Sequence, residues 1–392
     1  MLKTIFEHGQ IDFDTLKSRA FNHRWAEQEA GIIPLTAADP DFRVAPEITE
    51  SIQEYISKGY FSYGPALGYD AFRSSIASWY SRKHHLDVDP AQVIGFNSAA
   101  EALDKVAMLL FENGGNALIP DPVDFLFQTS INRNGGVVKT FGFNLDDGKI
   151  NMDQLRKSID KDTRAIYLCN PNNPSGQKIS DEDIRQLVQV AITHDLYIVS
   201  DEIWLDIYYE EQLKSIAAFS EEAKKRTIII SGLSKNFGSA GLRIGYCICP
   251  STSFMEQLLE KSGHVMTIGG LSTLSQVAST TALTKCDYWL DDFRSHLMDV
   301  RNYLCAELNQ VPAYNVRIPK GTYLAFIALD QNLDESRIAE DIKAKAKVAL
   351  VPGSARWFGP AASGHLRLCF STSKENIREA VSRLKDYANN NL

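Results

Sequence analysis

The sequence predicts an α/β protein: a large three-layer α/β/α domain with a mainly parallel sheet, followed by a smaller α+β domain. Three observations carry this. Between about residues 90 and 250, short apolar runs rich in β-branched residues alternate with stretches of helical periodicity. Such alternation is how crossover helices join parallel strands. Past about residue 285 it gives way to one long helix and shorter strands. Finally, the polar clusters Asn170–Gly176, Asp201 and Lys235 each follow a strand-like run. Open α/β sheets bind ligands outside the carboxyl ends of their strands, so these clusters mark a crevice.

In chain order, residues 1 to about 33 set Phe13, Leu16, Phe21 and Trp25 among charges, which reads as an arm with a short helix. A polar, proline-bearing segment follows over 34–46. Apolar spacing predicts helices over 46–58 and 69–83, separated by the breakers Gly59 and Gly64-Pro65. Strands are expected at 92–96, 117–119, 137–141, 164–169, 196–200, 227–230 and 244–248. Helices are expected at 101–111 and 181–194, with a helical stretch between the strands at 117 and 137. A long helix over about 287–310, strands at 321–328 and 366–370 and a closing helix over 374–388 complete the chain. The terminal asparagines are expected to fray. The expected divisions are an arm over 1–45 that joins the small domain, a large cofactor-binding domain over 46–285 and a small domain over 286–392.

The chain has 392 residues, 44% hydrophobic and 23% charged, with a formal net charge of -8. That composition suits a globular protein and argues against a nucleic-acid partner. No apolar run reaches the roughly 20 residues of a membrane span, and the N-terminus lacks a signal-peptide apolar stretch. A cytoplasmic location is expected. The six cysteines sit in apolar contexts and read as reduced core residues. Cys247 and Cys249 share a strand face, but no CxxC or histidine-rich partner accompanies them, so no metal is expected.

The chemistry centres on Ser231–Tyr246, where Lys235 lies just beyond an apolar strand among serines and glycines. Desolvation there lowers an amine's pKa and lets it attack a carbonyl to form a Schiff base. Pyridoxal phosphate requires such a lysine, a carboxylate against its pyridine nitrogen, an anion site for its phosphate and a donor to its ring oxygen. Lys235 and Asp201 suit the first two. Ser98, Ala99 and Ala100 open a helix, whose free N–H groups attract an anion, and Ser234 and Arg243 stand ready to complete that site. Asn173 offers an amide to the ring oxygen. Singly, each has a plainer explanation: a loop lysine, a capping aspartate, a capping serine, a turn asparagine.

Together, Asn170-Pro-Asn-Asn-Pro-Ser-Gly176, Ser200-Asp-Glu-Ile203, Ser234-Lys-Asn-Phe237, Gly241-Leu-Arg-Ile-Gly245 and Gly364-His-Leu-Arg-Leu-Cys-Phe-Ser371 resemble the class I/II aminotransferases, fold-type I enzymes with the PLP-transferase fold. The resemblance covers about residues 30–385. It implies pyridoxal 5'-phosphate as cofactor, bound covalently by Lys235, with Asp201 at the pyridine nitrogen, Asn173 at the ring oxygen and Arg243 at the phosphate. It implies that Arg367 clamps the substrate α-carboxylate, a match of guanidinium fork to carboxylate. Tyr63 resembles a tyrosine that reaches a neighbouring subunit's phosphate, which implies a homodimer with shared active sites.

Three positions depart from the family pattern. Trp204 stands where a tyrosine donates to the ring oxygen; its indole N–H donates but neither accepts nor ionises. Asp124 stands where an aromatic ring stacks on the cofactor, and Phe125 is the candidate substitute. Ala38, in the substrate-binding segment, replaces a glycine. Parts of the chain, including Arg24-Trp25 and Thr36–Phe42, are similar to the carbon–sulfur β-lyase branch. The leading expectation is therefore transamination between an L-amino acid and a 2-oxo acid. The alternatives are a cystathionine β-lyase-like activity and a cofactor-binding regulatory protein. No second arginine announces a dicarboxylate substrate, although Arg43 and Arg356 are candidates to face the pocket.

Overall fold

The computed structural model describes residues 3–330 and 333–392. Its strands in chain order are β1 (Ile33–Pro34), β2 (Val93–Phe96), β3 (Asn116–Asp121), β4 (Val137–Gly142), β5 (Thr163–Cys169), β6 (Tyr197–Asp201), β7 (Thr227–Gly232) and β8 (Gly245–Ile248). They are followed by β9 (Asn315–Val316), β10 (Leu324–Ala328), β11 (Val348–Ala349), β12 (Val351–Pro352) and β13 (His365–Cys369). Seven of them form one sheet in the order β2-β8-β7-β6-β5-β3-β4. Within it β8 runs antiparallel to β2 and β7, and the remaining pairings are parallel.

The sheet is apolar on both faces because alternate residues of each strand enter different layers. Along β5, Ala165, Tyr167 and Cys169 face one core, while Ile166 and Leu168 face the other with Leu118, Ile198 and Leu187. A strand buried on both faces must be almost wholly apolar, which is how these runs read. Truncating Leu168, fully buried, to alanine would cost about 2–5 kcal/mol.

The chain's two ends meet in a second unit. A four-stranded antiparallel sheet, β12-β13-β10-β9, packs with the helices Asp287–Leu308, Glu335–Lys345 and Lys374–Asn391. Near the N-terminus, β1 pairs in parallel with β11, and Asp41 N–H donates to the Ser371 carbonyl at 3.1 Å. A buried ion pair between Arg24 and Asp41 reinforces this junction, with Trp25 Nε1 donating to Asp41 at 2.7 Å and Arg24 Nη1 to Cys369 Sγ at 3.3 Å.

One expectation is corrected here. The C-terminal helix continues to Asn391, held by Lys345 Nζ on Asn391 Oδ1 at 3.1 Å, so the asparagines do not fray. The stretch between β8 and residue 285, for which no element was assigned, folds into the helices Thr252–Ser262 and Thr273–Lys285. All six cysteines are buried and free, and the Cys247 and Cys249 sulfurs lie 3.9 Å apart. Among the described residues, no helix is long and apolar enough to cross a membrane.

Candidate active site

Strands β5, β6 and β7 end side by side, and the turns beyond them carry Asn173, Trp204 and Lys235. Side-chain hydrogen bonds set each turn. Asn172 Oδ1 accepts from Ser175 N–H at 3.1 Å and Ser175 Oγ at 2.7 Å, while its Nδ2 donates to the Pro122 carbonyl at 3.1 Å. Asp201 Oδ1 accepts the Ile203 N–H at 3.0 Å and turns the chain after β6. Ser239 Oγ donates to the Leu233 carbonyl at 2.8 Å and closes the loop around Lys235. Asparagine, aspartate and serine are turn formers because their side chains replace backbone partners in this way.

These turns enclose a cavity of about 320 Å³, lined by Ala38, Ser98, Ala99, Ala100, Asn173, Asp201, Trp204, Ser234, Lys235, Arg243 and Arg367. Eleven of the thirteen expected site residues therefore converge on one space. Ser98 caps the helix Ala99–Leu110, its Oγ accepting from Glu101 N–H at 3.0 Å. The N–H groups of Ala99 and Ala100 lie in the first turn, where a helix offers them no acceptor. Gly245 of β8 permits this placement, because a Cβ there would lie 2.1 Å from the Ser98 carbonyl carbon and 2.4 Å from Ala99 N. Arg243, in a left-handed conformation at φ 53°, lines the cavity and has no carboxylate partner among the described residues.

On the opposite wall, Asn173 bridges two charges. Its Nδ2 donates to Asp124 Oδ2 at 2.7 Å, and its Oδ1 accepts from Arg367 Nη1 at 3.0 Å. Arg367 Nη2 donates to the Thr36 carbonyl at 3.0 Å, while its buried Nε has no partner among the described residues. Lys235 Nζ donates to the Ala38 carbonyl at 2.6 Å and lies 5.5 Å from the centre of the Trp204 ring. Burial, with the nearby Arg367 cation, lowers the Lys235 amine below the ordinary lysine range; Asp39 and Asp124 oppose the shift. Burial, assisted by the charges of Asp124 and Glu202, pushes the Asp201 carboxyl up to about 7.

Pyridoxal phosphate fits this donor set. Asp201 is a buried carboxylate short of a cation, which a pyridinium nitrogen would supply. The Ala99 and Ala100 N–H groups, Ser234 and Arg243, which has no carboxylate partner among the described residues, would hold the cofactor's phosphate. Lys235 is a buried amine, and burial favours the neutral form that acts as a nucleophile.

Two expected residues lie elsewhere. Phe125 does not take the stacking position: its N–H donates to the Trp357 carbonyl at 2.9 Å and its ring packs edge-on against Trp357 at 5.4 Å. Asp124 lines the cavity instead. Tyr63 is fully exposed and contributes nothing to the cavity within its own chain. Arg43 and Arg356 are exposed and absent from the lining; Arg356 stacks over Trp357. Sequence reasoning missed Ile203, Leu103, Leu126 and Cys169, which also line the space. Of these, Ile203 was discoverable, because it lies two residues past Asp201 at a strand end. Cys169, the last residue of β5, was discoverable from its place at the same sheet edge.

A model of the class I and II aminotransferase family matches residues 30–384. The chain is 30% identical over 363 residues to an aspartate aminotransferase of Geobacillus stearothermophilus, covering 90% of each protein. It is 29% identical over 363 residues to aromatic-amino-acid aminotransferase 2 of Thermococcus litoralis, covering 91% of each. Its structure is similar to a pyridoxal-phosphate-bound putative aminotransferase from Clostridium difficile, with a TM-score of 0.87 and 25% identity over 94% of this chain and 97% of that one. With that match spanning nearly the whole chain, and with a cavity whose donors suit the cofactor, the protein belongs to the class I and II aminotransferases and is a pyridoxal-phosphate-dependent enzyme.

Proposed function

We propose that the chain transfers the amino group of an L-amino acid to a 2-oxo acid, with Lys235 as the group that moves the substrate α-proton. The observation that carries this is the convergence of Lys235, Asp201, Asn173 and Arg367 on one cavity. Bound pyridoxal phosphate supplies an electron sink for the electron pair left when a bond at the substrate Cα breaks. Asp201 holds a negative charge against the pyridine nitrogen and favours its protonated form. Ser98, Ala99, Ala100, Ser234 and Arg243 take the phosphate. The Nδ2 hydrogen of Asn173 that Asp124 does not take would donate to the ring oxygen, and Trp204 flanks the Lys235 amine.

Arg367 binds the substrate α-carboxylate through its guanidinium fork, which fixes the direction in which the α C–H bond points. Lys235 Nζ would take the proton from the substrate Cα as general base and hold it for return as general acid. Burial suits the amine to this task, since it lowers the cost of the neutral form. Of the named relatives, one is an aspartate aminotransferase and the other an aromatic-amino-acid aminotransferase, so aspartate and the aromatic amino acids head the donors to be tried.

The reading extends to a cytoplasmic homodimer with three parts in each chain, 1–45, 46–285 and 286–392. Exposed Tyr60, Phe61 and Tyr63 lie on one segment and exposed Val265 and Met266 on another. The segments are joined where His264 Nε2 meets the Ala66 carbonyl at 2.9 Å. Such an apolar patch suits burial against a second copy, with Tyr63 reaching the partner's phosphate site. Light scattering at twice the chain mass would support it.

The test is a single half-reaction. Enzyme in excess is mixed with each of a panel of L-amino acids without an oxo-acid acceptor. Accumulation of pyridoxamine phosphate with the matching 2-oxo acid supports transamination and identifies the substrate class. Pyruvate, ammonia and free thiol from L-cystathionine, with the starting spectrum restored, would overturn it in favour of β-elimination.

A further inference from the structure

Behind the cavity, three N–H donors meet on one buried carboxylate. Asp206 Oδ1 accepts from Trp79 Nε1 at 3.1 Å and faces His84 Nε2 at 2.9 Å; Asp206 Oδ2 accepts from Asn236 Nδ2 at 2.6 Å. The other nitrogen of His84, Nδ1, faces the Leu213 carbonyl at 3.0 Å. A carbonyl oxygen only accepts, and a carboxylate that already takes two other N–H bonds accepts here as well. Both imidazole nitrogens must therefore carry protons, and His84 is an imidazolium. It is 1% exposed and ends the helix Asp70–His84, where the helix dipole favours a cation.

Asp206 thus stays ionised although buried, because His84 neutralises it. Its second oxygen accepts from Asn236, whose own Oδ1 is buried without a partner among the described residues. Asn236 directly follows Lys235. Its tether on the far side of the turn leaves the preceding side chain directed at the Ala38 carbonyl and the Trp204 ring. Asp201 at the end of β6 and Trp204 in the loop after it line the cavity, while Asp206 of that loop does not and meets Asn236.

We propose that His84 is a positioning residue for Lys235: as an imidazolium it holds Asp206 ionised, and Asp206 holds Asn236 so that the adjacent lysine keeps its place in the cavity. The inference rests on Lys235 as the proton-moving amine. The charged and titratable groups around His84 are Asp206 and Glu202 from the loop after β6, Tyr80 on its own helix with Tyr246 of β8 behind it, and Arg294 near Asp206. Burial works against the imidazolium, but Asp206 and the Leu213 carbonyl outweigh it and raise His84 above the ordinary histidine range. A raised histidine pKa stabilises the fold fully below about 6.5, and that stabilisation is lost as pH rises through the folded value. The linked activity therefore falls on the alkaline side.

The test combines a direct titration with kinetics on the holoenzyme. Imidazole ¹⁵N spectra of cofactor-free and loaded protein identify His84 by the signals absent in H84Q. Both nitrogens protonated at pH 7 is the expected result; a neutral ring would overturn the proposal. H84Q and N236A are each expected to lower kcat about ten- to a hundred-fold, with KM for the amino donor within about two-fold, because a misplaced amine slows proton transfer without touching Arg367. The double variant is expected to lose little more than either alone. Should H84Q fail to fold, N236A carries the kinetic test, since it removes only the tether. A lowered melting temperature with parental kcat per folded site would mean a merely structural role and would overturn the proposal. Lys235→Ala is measured in parallel. Turnover surviving there would overturn the role of Lys235 and this inference with it. An inactive K235A beside an N236A of parental kcat would overturn this inference alone.

Discussion

Asp124 and Asn173 are joined across the cavity wall by a 2.7 Å hydrogen bond from the asparagine amide to the carboxylate. The bond fixes which way the amide faces, since the carboxylate takes Nδ2 and leaves Oδ1 to Arg367 at 3.0 Å. It also sets a negative charge where the family pattern has a ring. That charge supports the Lys235 ammonium and opposes ionisation of Asp201. In Asp124→Asn, a side-chain oxygen can still accept from Asn173 while the charge is gone. The Lys235 amine is then expected to lose its proton at lower pH than in the parent. The pH dependence of cofactor uptake by the cofactor-free protein reads this directly, and coincident profiles would sink the idea.

Arg367 uses two N–H groups on Asn173 Oδ1 and the Thr36 carbonyl, which fix the direction of its fork in the cavity. Lysine keeps the charge but loses the planar fork. Arg367→Lys is therefore expected to raise KM for the amino acid and for the oxo acid alike, by about ten-fold or more, with a smaller change in kcat. A change confined to one of the two substrates would contradict a shared α-carboxylate site.

Asp201 makes cofactor-free stability depend on pH. Its carboxyl lies near 7 in the folded protein, against an ordinary value of 3.8. The folded state thus binds the proton more tightly than the unfolded chain. The stabilisation is complete below about pH 4 and is lost as pH rises through 7, by up to roughly 4 kcal/mol. Urea midpoints of the cofactor-free protein are expected to fall across that window. Asp201→Asn removes the slope, and pyridoxal phosphate reduces it by bringing a cation to the carboxylate. A parent midpoint that stays flat between pH 4 and 8 would contradict this.

Much of the site was legible because its residues hang from features with local signatures. Lys235, Asp201 and Asn173 each follow an apolar run, and Ser98 precedes a helical period, so strand ends and a helix start could be read from the chain alone. Strand direction could not be read in the same way: the apolar run of β8 looks like its parallel neighbours, and only its pairing reveals it as antiparallel. Position 124 was legible as a departure but not in consequence. Whether Phe125 could swing inward depended on the Trp357 carbonyl and ring, more than two hundred residues away. The Arg24–Asp41 pair was hidden for a related reason, since charges in a polar segment give no sign that Cys369 and Trp25 will bury them. Tyr63, matched by motif, is fully exposed in the single chain and lines no part of its own cavity.

Gly245 offers a test of the anion site that leaves every polar group in place. A methyl at this position meets the backbone of Ser98 and Ala99, at 2.1 and 2.4 Å, rather than the end of a flexible side chain. Backbone at a helix start cannot yield without moving the helix, and Ser98 is tied to Glu101 N–H. Gly245→Ala is therefore expected to push the Ala99 and Ala100 N–H groups out of the cavity wall. Phosphate binding depends on where those donors point, so pyridoxal phosphate is expected to dissociate about ten-fold or more faster, at an energetic loss of about 1.4 kcal/mol or more. Pyridoxal without its phosphate separates this from general damage. Its weaker binding is expected to change little, because Lys235, Asp201 and Asn173 stand at the ends of other strands; an equal loss for both compounds would place the effect outside the phosphate site.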